Sequence, residues 1–528
     1  MNKPNILERG IAAISPGWAF ERRRASALLE VQEISRVFEE KYQTQAKNLE
    51  RMYSAAAFGP LTEDWRSNMN SARAEISFDI QTLRNRCRDL ARNDGYAYAA
   101  IQSLAHNIIG KGIRPSFTGP KDLKKYVERS FLDWCSDTAA DFVSTHNFYG
   151  LQQLIIKGTA ESGEVLMVRR YTGRGRKMKL AIQILEADFI VHWLTNASLG
   201  KDFPEGTYVI NGVYYDKNDK IYGYEVYSEH PGDSLKVRGY KHEFVSADDA
   251  VLINRVDRPG QTRGTPWGAS VMLDHKLLGQ YELAQEHRQT IAASFAVFLK
   301  SMNPSESMGK GPRAGQAAEA MGRDLDGTRI NPGSIQRMLP GEEIELATPP
   351  PVEGYDEYTK ARLRKIARGW GLTYEVLSGD LSGVNFSSGR MGWLEMMRFI
   401  ESIQSLIMIP KVCATAWKWW LDLEQLKGNV PFNFDEVRID WTPPRREMID
   451  PVKETKAMIE QIQAGLLSFS DAIRQMGGDP EIQLAAIAES NAMLDTLKLT
   501  FVSDYRKIHD ENMKQPAADP AATDKGKK

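Results

Sequence analysis

The chain has 528 residues, 42% of them apolar, enough for two to four structural units around a sizeable core. Lys and Arg number 68 against 69 Asp and Glu, and the net charge of −1 gives no support to a tight, nonspecific grip on phosphates. The three cysteines, Cys87, Cys135 and Cys413, lie far apart on expected helices with apolar neighbours, which argues against a disulfide framework or a zinc site and for a reducing compartment.

The first seventy residues are polar and weakly patterned. Their run Arg22 to Arg24 reads as a solvated helix face, and an arm packing on a neighbouring subunit suits the segment. From Glu75 the residues Ile76, Ile80, Leu83, Cys87 and Leu90 share one helical face, and Asn93, Asp94 and Gly95 break that helix. A second helix through Ala100, Ile101, Leu104 and Ile108 ends at Gly110 and Gly112, making an antiparallel pair. Lys121 to Trp134 and Asn147 to Thr159 read as two more helices.

The period then changes. Glu164 to Tyr171, Lys179 to Leu185, Thr207 to Tyr215, Lys220 to Tyr227 and Ala250 to Arg255 are short β-type runs separated by turn residues. Asn211-Gly212 is a type I′ hairpin signal, because both residues tolerate positive φ. This predicts an antiparallel β-rich unit. Trp267 onward reads helical for about thirty residues. Ser301 to Gly333 drops in complexity and reads as a mobile excursion, which the strands Ser334 to Leu339 and Glu343 to Leu346 close. Tyr355 to Trp370 is a helix rich in Lys and Arg on one face.

A Gly/Ser/Asn-rich loop from Leu372 feeds a long helical pattern, with Ser387 or Ser388 placed to cap it. From Gly389 to Lys427 the apolar residues Met391, Leu394, Met397, Ile400, Ile403, Ile407, Val412, Ala416, Trp419 and Leu423 recur every three to five positions. One helix of about 55 to 60 Å is expected, kinked at Pro410. Val437 to Trp441 reads as a strand. Asp450-Pro451 and Asp479-Pro480 each offer an N-cap followed by proline, so a small helical unit occupies Asp450 to about Tyr505, with a disordered tail from Lys514.

Concrete catalytic constellations are missing. Gly309-Lys310-Gly311 lacks the spacing and hydroxyl of a phosphate-binding loop, and Gly173-Arg174-Gly175 sits in an expected hairpin turn with no helix behind it. Gly379-Asp380-Leu381-Ser382-Gly383 has two residues before the serine, where a nucleophile elbow has one. The eight histidines form no His-Glu-x-x-His pair, and Asp248-Asp249 reads as a solvated turn. No metal, cofactor or catalytic residue is assigned. No apolar run approaches the ~18 residues that span a bilayer, and the N-terminus lacks a signal-peptide core, so a cytoplasmic site of synthesis and no membrane partner are expected. The competing class is a cytoplasmic hydrolase or nuclease with a site split between domains.

Several strings in one order resemble the lambda-type portal (head–tail connector) proteins of tailed bacteriophages. They are Ser15-Pro16-Gly17-Trp18-Ala19, Leu83 through Asn93, Ile109 through Pro115, Gly260-Gln261-Thr262-Arg263-Gly264-Thr265-Pro266, Asn385-Phe386-Ser387-Ser388-Gly389-Arg390, and Trp441 through Pro451. Phe386 and Gly389 stand where that family more often has Tyr and Ala, and Ser301 to Gly333 has no clear counterpart.

The resemblance implies an α+β portal fold: an N-terminal arm (1–70), a wing of helices and antiparallel β (71–265), a first stem helix (266–300), a small α/β clip (301–350) and a second stem helix (351–371). A tunnel loop (372–388), the long kinked helix returning to the wing (389–449), a helical crown (450–510) and a disordered tail (511–528) follow. It implies no enzyme and no cofactor. A ring, usually of twelve copies, stands at one capsid vertex of the virion after assembly in the host cytoplasm. Its implied partners are the terminase large subunit, head-completion or adaptor proteins, major capsid and scaffold proteins, and the double-stranded DNA that is packaged and later ejected. The tunnel loop would present Leu377, Ser378, Gly379, Asp380, Leu381, Ser382, Gly383, Val384, Asn385, Phe386, Ser387 and Arg390 to the channel. The stem would contribute Gln280, Glu286, Arg288, Lys360, Arg364, Lys365 and Arg368, and the clip Arg323, Arg329, Arg337, Glu342 and Glu343 to terminase or adaptor docking.

Overall fold

The computed structural model describes residues 69–195, 203–233, 241–293, 297–301, 342–346, 354–431, 437–444 and 450–499, with isolated positions 36, 60 and 63. The chain divides into two units, Met1–Asn70 and Ser71–Lys528, and the account below concerns the second. The arginine run, the strand expected at Ser334 to Leu339, and Arg323, Arg329 and Arg337 lie outside the described residues.

Helices and antiparallel sheets are mixed, as the patterning predicts. Helix α1 (Ala72–Asn93) starts where Ser71 accepts from the Ala74 amide, and it stops at Asp94. The Asp94 carboxylate caps α2 (Gly95–Ile109) through the Ala97 amide at 2.8 Å, so the expected break is a shared cap. Strand β1 (Arg114–Thr118), helix α3 (Lys121–Ser136) and helix α4 (Phe148–Ser162) follow. Strands β2 (Glu164–Thr172), β3 (Lys179–Glu186) and β8 (Ala250–Asn254) form one antiparallel sheet in the order β3-β2-β8. Strands β4 (Tyr208–Ile210), β5 (Val213–Tyr215), β6 (Ile221–Tyr227) and β7 (His242–Ser246) form a second, in sequence order. The β4–β5 turn carries positive φ at both Asn211 (51°) and Gly212 (75°), the signature of the I′ geometry.

Helix α5 (Met272–Ala293) starts later and ends sooner than expected. The residues read as its last turns, Val297–Ser301, form strand β9, paired antiparallel with β10 (Glu342–Leu346). Val297 and Phe298 favour a pleated strand once a partner is present, which local periodicity does not reveal. Helix α6 (Tyr355–Trp370) has the bounds that the sequence suggests, closed by Gly371 in the left-handed region.

Helix α8 (Phe386–Ile403) continues through a π-helical stretch, Gln404–Cys413, into α9 (Ala414–Leu426). The rod is continuous. Pro410 sits inside the π stretch, where the Ala414 amide reaches back to the Ile409 carbonyl, and a widened turn accommodates the missing N–H. The cap also differs from expectation. Asn385 accepts from the Ser388 amide at 2.8 Å, and Ser388 Oγ accepts from the Asn385 amide at 3.3 Å, a reciprocal capping box. Ser388–Leu426 is long and apolar enough by composition to cross a bilayer, but its buried side belongs to the main core through Met396, Ile400, Ile403, Met408, Val412 and Trp419.

Phe131, fully buried, is the hub of an aromatic cluster. Trp134, Trp417, Trp420, Trp441 and Phe117 all lie within 6.2 Å of its ring centre. Those rings come from α3, β1, α9 and β11 (Arg438–Thr442), so one side chain ties four elements together. Strand β11 pairs with β1, Arg114 opposite Thr442. Helices α10 (Pro451–Gln463), α11 (Phe469–Gln475) and α12 (Pro480–Leu497) close the described chain, with Asp450 and Asp479 as N-caps before the expected prolines.

Candidate functional site

The residues expected to touch the channel gather around α5, α6 and the segment that joins α6 to α8. That segment is not one open loop. It contains the short helix α7 (Tyr374–Ser378), whose Leu377 is buried in the main core, and α8 begins already at Phe386. Between them lies a tight turn organised by Asp380. Its carboxylate accepts from Tyr374 OH at 2.8 Å and from the Ser382 amide and hydroxyl at 3.0 and 2.6 Å. Those hydrogen bonds, led by the Ser382 hydroxyl, hold the Asp380 carboxyl down at about 2. Gly379, at φ 72°, closes α7 by donating to the Glu375 carbonyl. Leu381, Ser382, Gly383, Asn385 and Arg390 are exposed, while Val384 and Ser378 are half-buried.

Most of the cations of α6 are paired with carboxylates. Asp274 of α5, buried, accepts from Arg362 Nη1 at 2.7 Å and Lys365 Nζ at 2.8 Å on α6. Burial opposes ionisation of Asp274, yet these two cations win and lower its pKa. Arg368 pairs with Glu395 of α8 at 2.6 Å, and Lys360 with Asp356 at 2.8 Å and Asp380 at 4.0 Å. Arg364 lies over the Tyr374 ring at 5.4 Å. Gln280 and Glu286 are exposed and Arg288 is half-buried on α5. Of the expected docking residues, Glu342 and Glu343 fall in β10, opposite Ser301 and Lys300.

A buried relay links these helices to the α1–α2 junction. Trp370 Nε1 donates to His275 Nε2 at 3.0 Å, which leaves His275 Nδ1–H to donate to the Asp94 carboxylate at 3.1 Å. Asp94, Glu282, Gly279 and Leu377 line part of a cavity of about 380 Å³ beside it. Nothing in the sequence pattern announces this contact.

The string Gly260 to Pro266 is structural. Glu164, fully buried, receives Arg84 Nη2 at 2.5 Å, Arg263 Nε at 2.7 Å and the Gly264 amide at 2.7 Å. Desolvation pushes the Glu164 carboxyl up, but the two guanidinium groups outweigh it and its pKa falls; burial lowers Arg84 to about 10. Gly163 and Gly264 approach so closely that a Cβ on Gly163 would lie 2.5 Å from the Thr265 carbonyl carbon.

Glu186, Asp188 and His230 also converge within 4.8 Å of one another. Arg88 already bridges both carboxylates, and His230 Nδ1 accepts from the Gly232 amide, which places the neutral ring's proton on Nε2. That donor set suits a charge-paired junction better than a metal ion. Asp248 and Asp249 are engaged too: Asp249 pairs with Arg169, and the Asp248 carbonyl accepts from Trp419 Nε1 at 2.8 Å.

Residues 58–404 match the profile described as "Phage portal protein, lambda family". The chain belongs to the lambda family of phage portal proteins. A "Probable portal protein" of Halomonas phage phiHAP-1 is 28% identical over 458 residues, covering 84% of this chain and 86% of that one. "Portal protein B" of Escherichia phage lambda is 23% identical over 502 residues, covering 80% and 86%. A chain in the neck of a gene transfer agent particle, computed with C12 symmetry, aligns at TM-score 0.46 and 14% identity, over 76% of this portal protein and 94% of that chain. This is therefore a structural portal protein of a tailed phage, and the competing hydrolase or nuclease reading falls away.

Proposed function

We propose that this portal protein forms a closed ring at one capsid vertex, and that double-stranded DNA is driven in through it by terminase and later leaves by the same path. A heterologous interface whose rotation closes generates such a ring. In this reading, described residues from 71 to 265 are the wing, α5 and α6 the stem, 301–350 the clip, 372–388 the tunnel segment and α10 to α12 the crown. Twelve copies, docking of terminase and head-completion proteins on the clip, contacts with capsid and scaffold proteins, and assembly in the host cytoplasm belong to the same proposal.

The observation that carries it is the neutralised stem. Four of the five cations of α6, Lys360, Arg362, Lys365 and Arg368, each face a carboxylate, and the fifth, Arg364, lies over the Tyr374 ring, so the helix offers polar surface without a row of free cations. A conduit needs that property, because each phosphate held by an unpaired cation releases counterions and adds affinity that motion must then overcome. The turn after Gly379 presents Leu381, Ser382 and Gly383 to the passing duplex. Gly383 has open space where a Cβ would stand and no positive φ, so Gly383→Pro stiffens the turn without a clash. Gly379→Pro is the poorer probe, since proline cannot reach φ 72° and lacks the N–H that closes α7.

The test is complementation of a phage lacking this gene, scored by portal content and DNA per head. Wild-type protein should restore filled heads, and Gly383→Pro should enter heads normally but leave them underfilled. Normal filling by that variant would contradict the tunnel role, and heads that fill without the chain would contradict the portal reading.

A further inference from the structure

The hairpin between β2 and β3 is the most cationic stretch of the described chain. Arg169, Arg170, Arg174, Arg176, Lys177 and Lys179 fall within eleven residues, Arg169 to Lys179. The base of the hairpin is engaged: Arg169 meets Asp249 at 2.8 Å and Asp422 at 3.2 Å, Lys179 meets Asp137, and Arg170 donates to the neutral Gln183 side chain. The tip is not. Arg174, Arg176 and Lys177 are exposed, and among the described residues no carboxylate lies within ion-pair distance of any of them.

The turn itself is tightly closed. Strand β8 pairs with β2 only as far as Val168, while Leu180 to Ile182 of β3, opposite Arg169 to Tyr171, are buried in the core, so the exposed part of the hairpin is its turn, Thr172 to Lys177. The turn is closed by the Lys177 amide on the Arg174 carbonyl and the Met178 amide on the Gly175 carbonyl. Gly173, at φ 82°, lies so close to Lys177 that a Cβ would stand 2.8 Å from its carbonyl oxygen. A preformed turn spares a ligand the cost of ordering its backbone, leaving only the side chains to be fixed.

We propose that this hairpin turn is a second nucleic-acid contact, a phosphate-binding surface for double-stranded DNA outside the channel. Charge complementarity favours duplex over an acidic protein, because three cations on one short turn suit the closely and regularly spaced phosphates of a duplex backbone. The inference does not depend on the channel.

A closed circular plasmid separates the two, since it cannot thread a closed ring. Binding of the assembled full-length protein to closed circular duplex should fall as salt rises with a logarithmic slope that contains about −2.7 from three phosphate contacts, or about 40-fold between 50 and 200 mM. R174Q/R176Q/K177Q should lose that component while keeping particle mass and thermal stability, and polyglutamate should compete poorly. Equal plasmid binding and slope in the variant would overturn the proposal. Loss of assembly in the variant would overturn it in favour of a subunit contact, and polyglutamate binding without plasmid binding would overturn it in favour of an acidic protein partner. Channel function in linear-DNA packaging is read separately, so failure here leaves the portal reading standing.

Discussion

Glu164→Gln tests how α1, β2 and the Gly260–Pro266 segment are held together. The wild-type carboxylate is fully buried and bridges Arg84 and Arg263, each about 2% exposed or less. The substitution keeps the shape and removes the one negative charge between two buried guanidinium groups. Leaving a buried charge uncompensated costs about 3–5 kcal/mol. A cooperative unit of this size loses roughly one degree of Tm per kcal/mol, so a fall of about 3–5 °C is expected in calorimetry or thermal circular dichroism. The pH dependence supplies a second readout. The folded pKa of Glu164 lies below its unfolded value, so its contribution is complete above the unfolded carboxylate range and is lost as pH falls through the folded pKa. Wild type should therefore lose stability steeply in acid, and Glu164→Gln should show a shallower slope. Equal Tm and equal acid slope in the two proteins would refute this account of the junction.

Other perturbations follow from the same geometry. Gly163→Ala should sharply reduce soluble protein, because φ 88° and the Gly264–Thr265 backbone leave no room for a methyl, whereas Gly383→Ala should leave stability within about 0.5 kcal/mol of wild type, read by thermal melts of both. Phe131→Ala should cost about 3–5 kcal/mol in denaturant unfolding, since the hub of the aromatic cluster leaves a cavity among four elements. Asp380→Ala should speed amide exchange across 379–384 with little change in Tm, and in wild type that protection should persist as pH falls until it approaches about 2, where the carboxyl protonates. Asp274→Ala should free Arg362 and Lys365 and make binding of linear duplex tighter and more salt-dependent, measured by fluorescence anisotropy across a salt series.

Local rules made part of this architecture readable. Tyr355–Trp370 combines helical spacing with a glycine stop, Asn211-Gly212 fixes its turn through two backbone angles, and Asp450-Pro451 and Asp479-Pro480 cap helices as their chemistry requires. Contacts between distant segments were not readable. Strand β1 is Arg-Pro-Ser-Phe-Thr, weak in strand formers, and exists because β11 pairs with it from the far end of the chain. The same holds for β9, where a partner across the excursion turned an expected helix end into a strand. Around the segment from Gly379 to Arg390, the glycine and serine content announces a turn, but the Asp274 pairing needs side chains from another element. The His275 relay and the Arg84–Glu164–Arg263 triad draw on separate elements, so no spacing along the chain encodes them.

The central claim is that copies of this chain close into a ring around a duplex-sized hole. Electron microscopy of the purified protein, with particle mass determined on the same sample, addresses it most directly. The account predicts closed rings of integral mass in units of the 59.5 kDa chain, with a central opening wide enough for double-stranded DNA. A particle that stays monomeric at every concentration and in the presence of its capsid partners would contradict it.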